Sequence, residues 1–157
     1  MRPLSNETRL PEDGLTVTMY VIIVGGGRVG VALAESLLAE RHEVLVIERS
    51  PERAEKMKSI LGSSIVVGDG CESSTLAEAG AERADSFIAV TEQDEDNLVS
   101  CQVARHRFHV GHIVVRINQP RNERIFRLLG FQNTVNAVES LTNGILRQLP
   151  RGAPIAS

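Results

Sequence analysis

Residues 20–30, YVIIVGGGRVG, run from a short apolar segment through three glycines into the start of an amphipathic stretch. This order predicts a buried β-strand, a tight turn and an α-helix, and Gly25, Gly27 and Gly30 match the G-x-G-x-x-G spacing of nucleotide-binding βαβ units. Gly25 would permit the turn, Gly27 would let a pyrophosphate approach the backbone, and Gly30 would let the helix pack closely on the strand. The amides at the helix start would then bind an anion. A glycine-rich turn that only packs is the alternative.

A second apolar segment, residues 44–47, ends in an acidic residue where a ribose would be bound. Glu48 lies 18 residues after Gly30, close to the spacing of about 20 residues that places a carboxylate on the adenosine ribose. Arg49 could meet a ribose 2′-phosphate, but Glu48 would repel that phosphate, so NADP is disfavoured. The two motifs together predict a site for a mononucleotide or a dinucleotide.

The composition argues against several other functions. The 157 residues carry a net charge of −3, from 17 basic and 20 acidic side chains, so no basic excess is present to neutralise nucleic-acid phosphates. Tryptophan is absent and aromatic residues make up 3%, so base-stacking surfaces are not expected. Cys71 and Cys101 are too few for a disulfide framework and favour the reducing cytosol. The longest apolar runs have the length of strands, and we therefore expect no direct membrane insertion.

Strand-like apolar segments alternate with amphipathic segments from residue 20 onward. Strands are predicted at 20–24, 43–47, 64–67, 86–90, 113–117 and 133–137. Helices are predicted at 29–41, 51–61, 73–79, 94–109, 121–129 and 139–149. Strands of a covered parallel sheet are apolar on both faces and are joined by right-handed crossovers. The pattern therefore predicts an α/β fold, a doubly wound Rossmann-type parallel sheet in three αβα layers with strand order 3-2-1-4-5-6.

Two further motifs follow the third and fourth predicted strands. After the third strand, Asp69 stands between two glycines, where its carboxylate could accept a hydrogen bond from an adenine amino group or from a backbone amide; an ordinary Asp-Gly turn is the alternative. After the fourth strand, Thr91 and Asp94 are candidates to cap and charge the next helix start, on the side that faces the cleft.

The order of these motifs resembles one family. Residues 25–30 (GGGRVG), 47–49 (IER), 68–70 (GDG), 91–98 (TEQDEDNL) and 115–117 (VRI) follow one another as in the amino-terminal nucleotide-binding domain of Trk/Ktr-type potassium-uptake regulators, also called the RCK or KTN domain. The resemblance covers roughly residues 19–149. All Rossmann proteins share the glycine motif, whereas its combination with GDG, T-x-x-D-x-x-N and the strand arginine is much more specific.

The resemblance implies a cytosolic regulatory subunit, and not an enzyme, that docks on a potassium-translocating membrane subunit and gates it in response to NAD(H), ATP or ADP. It also implies a homodimer or a larger ring at the inner face of the cell membrane. By position, the glycine motif would hold phosphates, Glu48 the ribose and Asp69 the adenine, while Thr91 and Asp94 would close the cleft. Arg116 would support the phosphates or a subunit contact. The cofactor-binding residues implied in this way are Gly25, Gly26, Gly27, Arg28, Val29, Gly30, Glu48, Arg49, Asp69, Gly70, Cys71, Thr91, Asp94, Asn97 and Arg116.

Several side chains have more than one interpretation. Cys71 could sense oxidation if its pKa were lowered, or could be a small, partly buried residue. Arg28 could reach a terminal phosphate or be solvated. The acidic run 92–96 could hold a divalent cation between subunits, or be a solvated helix start that the helix dipole favours. His106 and His109 lack further ligands at metal spacing, so no zinc site is predicted.

The extent of the chain bears on its function. Residues 1–18 are predicted to be a flexible extension, 19–149 the domain, and 150–157 a tail. Many relatives carry a second lobe after the last helix, for which this chain is too short, so it is either a single-domain member or a fragment.

An NAD-dependent oxidoreductase is the competing interpretation, but such enzymes usually append a substrate-binding domain, and about eight residues after the last helix leave little room for one. The third interpretation is a domain for which a bound nucleotide serves only to stabilise the fold.

Overall fold

A computed structural model of the protein describes residues 17–152. Within this range six strands form one sheet: β1 (Tyr20–Val24), β2 (Glu43–Glu48), β3 (Ile65–Val67), β4 (Ser86–Ala89), β5 (Ile113–Ile117) and β6 (Asn133–Asn136). The strand order is β3-β2-β1-β4-β5-β6, and every pairing is parallel. The predicted fold class and strand order are therefore confirmed. The predicted extension 1–18 and tail 150–157 lie largely outside the described residues.

Within the described residues, five α-helices connect the strands and a sixth follows the last strand. They are α1 (Arg28–Ala39), α2 (Pro51–Leu61), α3 (Ser73–Glu78), α4 (Asp94–Phe108), α5 (Glu123–Leu128) and α6 (Ala137–Leu146). The helix α2 begins as predicted, because Ser50 accepts a hydrogen bond from the backbone N–H of Arg53 and Pro51 occupies the first helical position. Within residues 17–152, no helix is both long and apolar enough to cross a membrane.

The chain after β5 departs most from the predicted boundaries. The helix predicted at 121–129 starts two residues later, because a 3₁₀ turn, Pro120–Asn122, precedes it. The last helix starts at Ala137, two residues before the predicted 139–149. Asn136 ends β6 and caps α6 at once, since its side-chain oxygen accepts the backbone N–H of Glu139 at 3.0 Å. No connecting loop is therefore needed between the strand and the helix.

Both faces of the sheet are buried, which explains why the strands are apolar throughout. Val21 and Ile23 of β1 pack with residues of α1 and α2. Ile22 and Val24 point to the other face and pack in the cluster that includes Leu76 of α3 and residues of α4. Burial of each such side chain contributes about 1.5–3 kcal/mol. The predicted motifs follow the carboxyl ends of β1, β2, β3 and β4.

The helix α6 stands apart from both layers. In the part of the chain that the structure describes, none of its residues is buried. Its large apolar side chains, Val138, Leu141, Ile145 and Leu146, are each more than half exposed. An apolar helical face of this kind usually marks an interface.

Candidate functional site

The glycine turn connects β1 to α1 with little space to spare. Gly25 has a φ of +114°, which favours glycine, and its backbone N–H donates to the carbonyl of Ile47 at 3.0 Å. A Cβ on Gly30 would lie 1.8 Å from the Gly25 carbonyl oxygen. The turn and the close helix packing expected of these two glycines are therefore present in the structure.

Gly27, by contrast, borders open space. A Cβ at this position would meet no described atom within 4 Å. Among the described residues, no side chain caps the start of α1, and its first turn contains no acidic residue. Arg28 and Val29 are exposed beside it. The 12-residue helix thus begins at exposed residues with no side-chain cap in the described structure, and an uncapped helix start is the arrangement that binds phosphate.

Glu48 is held against the glycine turn. Its side chain is almost fully buried at 5% exposure, and Oε2 accepts the backbone N–H of Gly26 at 2.8 Å. Its Oε1 accepts from the backbone N–H of Ser50 at 3.2 Å and from Nη1 of Arg53 at 3.3 Å. The carboxylate is therefore ordered before any ribose arrives. Sequence reasoning missed Arg53, which lies one helical turn into α2 and was detectable only as a basic residue five positions after Glu48.

The Asp69 turn packs onto the end of β1. Asp69 Oδ1 accepts the backbone N–H of Cys71 at 2.9 Å, which is the ordinary Asp-Gly turn given as the alternative. A Cβ on Gly70 would lie 2.5 Å from Cγ1 of Val24, so glycine is needed there for packing. The adenine contact of Asp69 and Gly70 stays a prediction, and the structure adds that Gly70 packs against Val24 at the carboxyl end of β1.

The thiol of Cys71 does not meet the condition for an oxidation sensor. Burial, followed by the carboxylates of Asp69 and Asp96, raises its pKa to about 11, while Arg49 partly opposes this rise. The thiol is therefore protonated at neutral pH, where the reactive species is the thiolate. Of the two interpretations of Cys71, the small, partly buried residue is the one that this environment supports.

Thr91 and Asn97 form a polar contact instead of a helix cap. Gln93 occupies the N-cap position of α4, and among the described residues no side chain caps this helix. Asn97 is completely buried, and its Oδ1 accepts from the backbone N–H of Thr91 at 2.9 Å and from the Thr91 hydroxyl at 2.7 Å. The prediction that Thr91 and Asp94 cap α4 is therefore wrong. The prediction of a negatively charged helix start is confirmed by three acidic residues in the first turn.

Asp94 joins α4 to the loop after β5. It is 6% exposed, and its carboxylate accepts the backbone N–H groups of Asn118 at 2.7 Å and Gln119 at 3.0 Å. The side chain of Asn122 donates to it at 2.8 Å. Burial alone would raise the pKa of Asp94, but these donors together bring it below its ordinary value, so the carboxylate remains ionised. Asp94 and Asn97 thus support the β4–β5 edge from within, and their contact with a nucleotide stays a prediction.

Arg116 lies on β5 with its side chain on the α1 side of the sheet. Its neighbours Val115 and Ile117 pack into the cluster on the α4 side, and strand residues alternate between faces. Its Nε is buried and has no hydrogen-bond partner among the described residues. The predicted role of Arg116 at a phosphate or a subunit contact is untested, and its unpaired Nε leaves a donor for either.

The acidic run offers no metal site in the described structure. Within residues 17–152, no group of three or more His, Cys, Asp or Glu side chains is placed to hold a metal ion. Asp94 is instead bound to amide donors, and Asp96 lies 3.5 Å from Nη1 of Arg49. Asp96 was not among the predicted site residues, because its partner lies 47 positions away in the sequence.

Comparison with known proteins identifies relatives of this chain. The TrkA-N domain family matches residues 21–137. The chain is 40% identical over 136 residues to the Trk system potassium uptake protein TrkA of Streptomyces coelicolor. The aligned region covers 86% of this chain and 60% of that protein. It is 35% identical over 131 residues to a TrkA homolog of Methanothermobacter thermautotrophicus, again covering 60% of the relative. The chain therefore spans about 60% of the length of these two relatives.

Solved structures share the architecture. The TrkA-N domain of the inner membrane protein ybaL from Escherichia coli superposes with a TM-score of 0.76 at 23% identity, covering 87% of this chain and all of that one. The protein GsuK, solved bound to ADP, superposes with a TM-score of 0.67 at 28% identity and covers 83% of this chain and 34% of its own. The first likeness shows the fold alone, and the second adds a related chain with a nucleotide bound.

Proposed function

The chain belongs to the TrkA-N domain family, and from that membership we propose that it is the nucleotide-binding domain of a regulator of potassium uptake. The observation that carries the proposal is the start of α1, which no described side chain caps, beside Gly27, where a Cβ would meet only open space. Glu48 is hydrogen-bonded to the backbone of the same turn, and its spacing from the glycine motif in the sequence is that expected of a ribose-binding acid. The relatives from Streptomyces and Methanothermobacter are potassium uptake proteins, which supports the physiological process.

The ligand we propose is an adenine nucleotide, either NAD(H) or ATP and ADP. The helix start would receive a pyrophosphate, and Glu48 would receive the adenosine ribose hydroxyls. Arg28 is exposed at the first position of α1 and would contact a terminal phosphate. NADP is disfavoured because its 2′-phosphate would meet the buried carboxylate of Glu48.

A thermal-shift series tests the nucleotide proposal. NAD, NADH, ATP and ADP bind only the folded chain in this proposal, so at least one of them should raise the melting temperature, by a stabilisation of about 2.7 kcal/mol at a hundredfold excess over its Kd. NADP is the matched control, since it adds only a phosphate to NAD. No shift with any of the four nucleotides would contradict nucleotide binding, and a larger shift with NADP than with NAD would contradict the role of Glu48.

We propose that a second copy of the chain covers α6. Its apolar side chains, among them Leu141 at 68% exposure, have no counterpart in the described residues to bury them. A regulator also requires an interface that a ligand can rearrange. We expect a dimer or a larger ring by light scattering, and Leu141→Lys should shift the population toward monomer. A monomer at all concentrations, with and without nucleotide, would contradict this assembly.

Regulation would then follow from a shift between conformations that bind different nucleotides with different affinities. The partner we propose is a potassium-translocating membrane subunit, reached from the cytoplasmic side. The relatives' names support a role in potassium uptake. An NAD-dependent oxidoreductase would instead consume NADH when offered a substrate. Absorbance at the NADH band, followed over hours with the protein and a panel of small carbonyl substrates, separates the two classes.

A further inference from the structure

An ion pair crosses the end of the cleft at which adenosine is expected. Arg49, directly after β2, places Nη1 3.5 Å from Oδ2 of Asp96 in the first turn of α4. Since β2 and β4 lie on either side of β1, and α4 follows β4, the pair spans the carboxyl end of β1. The Arg49 side chain is 66% exposed and that of Asp96 31%, so the pair lies at the surface of the cleft.

The loop after β3 lies against this ion pair. The Cys71 thiol donates to the carbonyl oxygen of Asp96 at 3.5 Å, and Asp69, Asp96 and Arg49 all act on the pKa of that thiol. Glu48, adjacent to Arg49, is bound to the glycine turn. Arg49 therefore follows the carboxylate expected to bind the ribose, and its ion pair joins it to the turn of α4 that contacts the loop after β3.

We propose that Asp96 sets the affinity for the adenosine end of the nucleotide by holding Arg49 in an ion pair across the cleft. Adenosine binds when Arg49 exchanges the Asp96 carboxylate for the face of the adenine ring. This inference rests on the proposed nucleotide binding and adds a residue that sets its strength. The exchange is feasible because an exposed ion pair is weak and a guanidinium over an aromatic ring gains a comparable amount.

The two ends of this ion pair should respond in opposite directions to substitution. Asp96→Asn removes the competing carboxylate and should tighten adenosine binding about two- to fivefold, whereas Arg49→Gln removes the contact with the ring and should weaken it by a similar factor. Calorimetric titration with adenosine and with ADP measures both. Adenosine carries no phosphate, so its binding reports on this end of the cleft alone. A merely structural ion pair would give changes of the same sign, or none.

Glu95→Gln is the matched control, because Glu95 is an exposed neighbour in the same helical turn that forms no ion pair within the described residues. It should leave adenosine affinity unchanged. Potassium chloride screens the ion pair, so wild-type adenosine affinity should rise with salt and that of Asp96→Asn should not. Weaker binding by Asp96→Asn, or an equal gain in Glu95→Gln, would overturn the proposal. If the wild-type chain binds neither adenosine nor ADP, the proposed function fails instead.

Discussion

Gly30→Ala is expected to destabilise the fold by about 3 kcal/mol or more, since overpacking against backbone exceeds the ordinary cost of extra methyl groups in a core. The added Cβ would lie 1.8 Å from the Gly25 carbonyl oxygen. That atom cannot rotate away as a side chain can, because Gly25 is itself fixed by its hydrogen bond to Ile47. Either α1 must move off β1 or the glycine turn must open. Urea denaturation followed by circular dichroism measures the loss.

Gly144→Ala is the control, because it makes the same substitution at a helical glycine where the added Cβ would clash with no described atom. Gly144 lies inside α6, and a Cβ there would meet no described atom within 4 Å. Alanine should therefore stabilise this helix by about 0.5–1 kcal/mol. If the same substitution lowers the free energy of unfolding at Gly30 and raises it at Gly144, the contact with Gly25 is identified as the cause of the loss. A loss below about 1 kcal/mol for Gly30→Ala, within the range of an average point mutation, would contradict the close packing of α1 on the glycine turn.

The glycine motif was readable from sequence because its demands are local. The turn at Gly25 and the approach of Gly30 involve residues only five apart. Gly70 is different: its space is occupied by Val24, 46 positions earlier. Nothing in the neighbouring sequence distinguishes that requirement from an Asp-Gly turn, so the contact with Val24 could not be predicted from it. The alternation of strands and helices predicted the strand order for the same local reason, since short connections restrict the possible topologies.

Between β4 and α4, the sequence predicted which polar side chains are present but not which groups they form hydrogen bonds with. Thr91 and Asp94 stand at the right positions for a helix start, and a cap was the natural expectation. In the structure, Asn118 and Asn122 donate to Asp94 from 24 and 28 positions away. These amide donors compete with the amides of α4 for the same carboxylate and bind it instead. Sequence reasoning weighs local partners only, and here tertiary partners prevailed.

Gly27→Val is expected to reduce affinity for ADP and NADH by at least about a hundredfold, equivalent to roughly 2.7 kcal/mol, while the chain stays folded. Gly27 has a φ of −79° and an extended ψ, which valine adopts without strain. Its Cβ would point into open space, so only a ligand could meet the added branches. The surface that they would occupy is the path by which a pyrophosphate reaches the amides of α1.

Calorimetric titration of Gly27→Val, with circular dichroism to confirm the fold, measures this loss. Gly111→Val is the control, because Gly111 also borders open space but lies before β5, far from the glycine turn in sequence; it should bind as the wild type does. Potassium uptake, measured in cells that depend on this chain, extends the test to function: uptake with Gly27→Val should no longer follow the nucleotide pool. Undiminished affinity in Gly27→Val would show that the glycine turn serves only the packing of α1. Lost affinity with unchanged nucleotide dependence of uptake would leave a domain that binds nucleotide without regulating transport.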